Sequence, residues 1–151
     1  MNSRIKVDSV IYAILYSLLI ALIGGIVSGF FNYFFVKNIG ISLESIFFFG
    51  VAYLIGRTTS KVVNGPHLVY SIIAGLFIVI SYIIMDTILV LVYHGYSMMD
   101  TSVFFNPLVY LESFWLGLNP VTGLSMGILN YLLSLLIFIV GTYVGVQQTL
   151  R

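Results

Sequence analysis

The sequence predicts an all-α integral membrane protein, a four-helix bundle with an interfacial or re-entrant helix in its outer loop. Three observations carry that prediction. First, only 7% of the 151 residues are charged and 60% are hydrophobic, with a mean hydropathy of +1.12. A soluble domain has about a quarter of its residues charged, so this chain cannot coat a water-facing surface. Second, the apolar runs between charges are long enough for helices of ~20 residues, the length that crosses a bilayer. Third, turn residues fall between those runs. Together these exclude a soluble domain, a disordered chain and a nucleic-acid binder, and make the lipid bilayer the first partner. With no cysteine, disulfides and thiolate chemistry are excluded as well.

The first span is predicted over residues 10–36, because no charge occurs between Ser9 and Val36. Its basic start, MNSRIKVDS, has the look of a signal-peptide n-region. The apolar run behind it is longer than the 7–15 residues of an h-region, so it reads as a retained anchor. Lys37-Asn38-Ile39-Gly40 then forms a turn. Ser42 is the expected N-cap of the second span, residues 43–60, with Glu44 in its first turn where a carboxylate suits the helix dipole. The polar stretch RTTSKVVNGPH follows, and Pro66 suits the start of the third span, residues 67–93.

After His94 the pattern loosens. Asn106-Pro107 and Asn119-Pro120 each resemble an N-cap followed by Pro at the first helical position. The segment between them, residues 107–118, is too short to span and too apolar for water. It is expected at headgroup depth, with Tyr110 and Trp115 as anchors. The fourth span is predicted over residues 121–146. Residues 1–151 therefore read as a single transmembrane domain.

Four spans put both termini on one side, together with the loop between spans two and three. That side carries Arg4, Lys6, Arg57, Lys61 and Arg151, five of the six basic residues. The positive-inside rule places it in the cytoplasm. Aromatic residues from Phe30 to Phe35, with Tyr93 and Tyr96, read as an outer belt, and Tyr12, Tyr16 and Tyr70 as an inner one.

Small residues four apart let helix backbones approach closely in lipid. Gly25 and Gly29 in span one form such a pair, as do Gly123 and Gly127, and Gly141 and Gly145, in span four. Gly56 in span two and Gly75 in span three pair with Ala52 and Ser71. These are the expected packing positions, within the chain, with a second copy or with another membrane protein.

The candidate functional polar residues are Asp86, Asn130, Glu44 and Lys37. An acidic residue inside a span is a functional hypothesis by default. Asp86 lies nineteen residues beyond His67, ~28 Å along a helix and so near the outer boundary. There it is expected to be hydrated or paired with Lys37. Asn130 is expected deeper than Asn32 and is the better candidate for a polar seam. Ser17, Ser28, Ser81, Ser134 and Thr142 can bond their own helix carbonyls and need no function.

Gly123-Leu124-Ser125-Met126-Gly127 matches the nucleophile-elbow pattern, but a membrane helix is the wrong context for that strand-to-helix turn. An outward-facing hydrolase built from Ser125, His94 and Asp86 is thus a remote alternative. A metal site from His94, Asp100, Glu112 and Glu44 lacks any fixed ligand spacing. No phosphate loop, dinucleotide fingerprint or haem signature points to a cofactor.

From Ile23 to Tyr82 the order GGIVSG, ISLES, FFFGVAYLIG and RTTSKVVNGPH resembles small uncharacterised four-span membrane proteins of bacteria. The resemblance covers roughly 40% of the chain and implies the four-span architecture with no activity attached. The sequence therefore leads to a non-enzymatic component of the bacterial inner membrane, an accessory or scaffold subunit or a homo-oligomeric bundle. The alternative is a small oligomeric transporter or channel using Asp86 and Asn130.

Overall fold

A computed structural model describes residues 7–62, 68–97, 99–119 and 127–150. All regular structure among them is helical. Helix α1 runs Val7–Ile39, α2 Glu44–Val62, α3 Leu68–Tyr93, α4 Thr101–Phe104, α5 Pro107–Leu118 and α6 Ile128–Gln147, extended by a 3₁₀ turn over Gln148–Leu150. Three helices are long and apolar enough to cross a membrane: α1, α3 and α6 with its 3₁₀ extension. The 19 residues of α2 would reach ~28 Å, but Glu44, Arg57 and Lys61 make it the most polar of the four long helices.

One ridge of small residues organises the packing. Ala13, Ser17, Ala21, Gly25 and Gly29 recur every fourth residue on α1 and are all buried. Residues four apart lie above one another on a helix, so α1 presents a continuous groove in which α2 and α3 seat. A Cβ added at Gly25 would lie 2.9 Å from the Ser81 carbonyl oxygen, and one at Gly29 would lie 2.8 Å from that of Met85. Both contacts are to backbone, which cannot give way. Gly56 on α2 similarly abuts the Gly145 carbonyl of α6, and a Cβ at Gly145 would lie 2.7 Å from the Ala52 carbonyl oxygen. Gly141 makes room for the Phe48 ring.

Two of the predicted packing glycines behave differently. Gly75 has ordinary room, with its nearest neighbour Val146 at 3.4 Å. Gly127 is no helix contact: it precedes α6 with φ +105°, a backbone conformation that favours glycine. Gly123 and Ser125 lie outside the described residues. Among the described residues the helix of the fourth predicted span begins at Ile128. Its other end runs further than predicted, because Thr149 is buried and its hydroxyl meets that of Ser71 on α3 at 2.6 Å.

The middle of the molecule is apolar. Ala21, Phe48, Val51, Ala52, Ile55, Ala74, Ile78 and Met85 form one buried cluster. Tyr70 belongs to the interior with Ala13 and Ile73, not to an inner aromatic belt, whereas Tyr12 and Tyr16 are exposed. At one end of the helices Ser17 and Thr59 hydroxyls meet at 2.8 Å, fully buried between α1 and α2. Of the spanning serines and threonines, Ser81 and Thr142 bond their own helix carbonyls, but Ser17 bonds across.

At the other end α3 stops in a Schellman arrangement: Tyr96 N–H reaches the Leu91 carbonyl and Gly95 N–H that of Val92, both at 3.1 Å, with Gly95 at φ +87°. Helix α5 starts as its sequence dictates. The Asn106 side chain accepts from Leu108 N–H at 3.0 Å and Pro107 occupies the first helical position. Asn119 ends this helix, donating its N–H to the Trp115 carbonyl; the helix start predicted after it lies outside the described residues.

Candidate functional site

The polar side chains with the most chemistry gather where α1 ends and α2 begins. Four elements supply them. The α1–α2 turn and α2 bring Ser42, Glu44 and Ser45, α3 brings Tyr82 and Asp86, α5 brings Ser113, and α6 brings Asn130 and Ser134. A pocket of about 290 Å³ is lined by Ser42, Glu44, Ser45, Tyr82, Asn130 and Ser134 and closed on the α6 side by Leu133 and Ile137, with Asp86 and Ser113 outside its lining.

Tyr82 is the pivot. Its ring packs edge-on against Phe48 at 4.9 Å between centroids and against Phe138 at 5.0 Å. Both rings adjoin the apolar core, so the ring is held from below and the hydroxyl is presented upward. Tyr82 and Glu44 both line the pocket and lie within electrostatic reach of each other. Asp86 lies one helical turn along the same face of α3, close enough to Glu44 for their charges to interact. Ser113 on α5 lies near Asp86, where α5 packs against α3. Of the two carboxyl groups, Glu44 lines the pocket, and Asp86 on α3 lies behind it, within electrostatic reach of Glu44.

The expected Lys37–Asp86 pair does not form. Lys37 is exposed, and its ammonium lies 5.6 Å from the centre of the Tyr33 ring on its own helix. The reason is geometric. Lys37 follows the last buried position of α1, Asn32, by more than a turn and emerges on the outer side, while Asp86 turns toward α2 and α5.

Asn32 and Asn130 exchange the roles the sequence suggested. Asn32 is 0% exposed, and its Oδ1 accepts from Leu43 N–H at 2.8 Å and from the Ser42 hydroxyl at 3.3 Å. It therefore caps the start of α2 from a neighbouring helix. Ser42 adds a longer contact to Glu44 N–H at 3.4 Å. The amino group of Asn32 is buried with no partner among the described residues, as is the Thr87 hydroxyl. Asn130 is exposed and lines the pocket.

Of the residues singled out in the sequence, Glu44 and Asn130 line one pocket, Asp86 lies within electrostatic reach of Glu44, and Lys37 is apart from them. Tyr82, Ser113 and Ser134 were missed. The four-residue spacing of Tyr82 and Asp86 on one helix was the available signal for the first of these. The other residues named for a metal site stand apart from this group, and Ser125 of the hydrolase alternative lies outside the described residues. His94 is exposed and its Nδ1 meets the Val90 carbonyl of its own helix at 2.8 Å. Asp100 accepts from Ser97 N–H in a local turn, and Glu112 is exposed on α5. No three of the His, Asp and Glu side chains among the described residues converge as metal ligands. Outside the long helices, partial burial pushes the Tyr110 phenol up from its ordinary pKa, and its hydroxyl donates to the Phe104 carbonyl at 2.7 Å. Comparison with protein-family models, curated proteins and solved structures gives no match.

Proposed function

We propose that this protein is a non-enzymatic, four-span component of a bacterial inner membrane, with both termini cytoplasmic, that works as an accessory or scaffold subunit. The observation that carries this reading is the apolar middle. Between the Ser17–Thr59 contact at one end and the Glu44–Tyr82–Asp86 group at the other lies a packed cluster of aliphatic and aromatic side chains. A conduit needs a wet or convertible route across the whole membrane, and glycine-to-carbonyl contacts between α1 and α3 and between α2 and α6 favour a packed body instead. In this reading α2 spans with α1, α3 and α6, and α5 lies at the outer interface with Leu108, Leu111 and Trp115 in the leaflet. The outward faces of α1 and α6, rich in exposed leucine and isoleucine, are available to lipid and to a membrane partner.

The test is native mass spectrometry of the protein released from membrane vesicles, combined with a flux assay on the purified protein in liposomes. A complex of fixed stoichiometry and no ion or proton flux is the expected result. A lone chain that carries a proton- or cation-dependent flux would overturn it.

One observation favours the transporter reading as second: Glu44 shares a pocket with Asn130, and Asp86 lies within electrostatic reach of Glu44. If that reading holds, Asp86→Asn abolishes the flux and leaves the protein folded.

A further inference from the structure

We propose that the pocket at the Glu44 end binds a protonated primary amine, presented by a small alkylammonium solute or by the ethanolamine headgroup of a membrane lipid. This goes beyond the accessory role, which asks for no small ligand, and it stands or falls separately.

Charge is the first argument. Glu44 lines the pocket, and no basic side chain is among the described residues that line it. Lys37 is engaged by Tyr33, and Arg57, thirteen residues further along α2, lies by Tyr53. Carboxylates within an apolar helical assembly are costly without a counter-charge, and an anion would only add to the repulsion.

Size and donor geometry decide which cation. The pocket measures about 290 Å³, whereas a water molecule occupies only ~30 Å³ of liquid. A bare metal ion needs several oxygens converging at ~2.0–2.6 Å, and no three acidic or histidine side chains converge among the described residues. An ammonium group carries three N–H donors that can reach separated acceptors. Glu44, the Asn130 carbonyl oxygen and the Ser134 hydroxyl offer these from α2 and α6. A quaternary ammonium has no N–H to give and depends on aromatic faces. The pocket supplies no such cage, since the Tyr82 ring is committed to Phe48 and Phe138 and only its hydroxyl is presented.

The apolar flank extends the argument to the substituent. Leu133 and Ile137 wall the pocket on α6, and Leu133 is 48% exposed on the side that faces away from the core. An alkyl or acyl chain attached to the amine can leave along that flank without crossing polar groups.

The full-length protein, delipidated in maltoside micelles, is titrated with ethylammonium chloride at constant ionic strength and followed by calorimetry. Tetramethylammonium and sodium chloride serve as controls. Saturable binding of ethylammonium alone is expected. Glu44→Gln should weaken it by about tenfold or more, the loss of one charge-assisted hydrogen bond. Asn130→Leu, at an exposed position where folding is unaffected, should weaken it as well, and Glu112→Gln on the outer face of α5 should leave it unchanged. Absence of binding, equal binding of tetramethylammonium or sodium, or full binding by Asn130→Leu and Glu44→Gln would overturn the proposal. Repeating the titration in phosphatidylethanolamine and phosphatidylcholine nanodiscs identifies the source. Ethylammonium competing poorly only in the ethanolamine lipid assigns the headgroup; equal affinity in both assigns a soluble amine.

Discussion

At the scale of single residues, the two asparagines separate structure from site. Asn32 satisfies Leu43 N–H at the start of α2 from a position with no solvent exposure. Removing it leaves a helix-terminal donor without water or partner, which costs about 1–3 kcal/mol. Asn32→Ala is therefore expected to lower the unfolding temperature in detergent markedly, and Asn130→Ala to change stability by no more than ~0.5 kcal/mol. The sequence ranked them the other way for a physical reason. Depth was counted from a span starting at 121, which put Asn130 nine residues in. With α6 starting at Ile128, Asn130 sits in its first turn. Lys37 gives a second prediction at this scale. Lys37→Met should leave stability within ~0.5 kcal/mol, and adding Asp86→Asn should rescue nothing, because no ion pair joins them. Recovery of stability in that double variant would restore the pair expected from the sequence.

At the scale of helices, spacing in the sequence identified small residues but not their partners. Gly25 and Gly29 do pack, against the α3 backbone, and Gly56 against Gly145. The ridge continues through Ala13, Ser17 and Ala21, which the spacing of the glycines does not mark. Gly123 and Gly127 carry the same spacing, yet Gly127 serves a turn at positive φ; four-residue spacing means contact only where both residues are helical. These differences predict a graded series. Gly29→Ala and Gly145→Ala drive a Cβ into a carbonyl and should each cost about 1–3 kcal/mol, the usual toll of overpacking. Gly75→Ala, with 3.4 Å to spare, should be near neutral. Equal melting temperatures across the three in maltoside would remove the claim that backbone approach holds these helices. Helix α5 was legible to the residue, since Asn106 as cap and Pro107 at the first position are local signals that need no tertiary information.

At the scale of the whole molecule, the arrangement is a sequence of layers: hydroxyl contacts at one end, an apolar middle, and a carboxyl-lined pocket at the other. The apolar runs made the helical, membrane-type character legible from composition alone. The pocket was legible only in part. Glu44, Asp86 and Asn130 were visible as polar residues in costly places, but which of them share a pocket depends on how α2, α3 and α6 cross, and Tyr82 is one aromatic among many until the fold sets it beside Glu44 in the pocket. The basic residues at the opposite end of α2, Arg57 and Lys61, orient the proposed spans with the pocket outward. If α2 and α3 each cross the bilayer, the α2–α3 connection and the end of α3 lie on opposite faces.

Cysteine accessibility in intact bacterial cells tests that directly, using Ser60→Cys in the last turns of α2 and Ser97→Cys just beyond α3, in a chain that has no native cysteine. The expected result is that a membrane-impermeant maleimide labels Ser97→Cys in intact cells, and Ser60→Cys only after the membrane is permeabilised. Labelling of both positions in intact cells, or of Ser60→Cys alone, would contradict the four-span architecture or its orientation, and with it the placement of the pocket at the outer face.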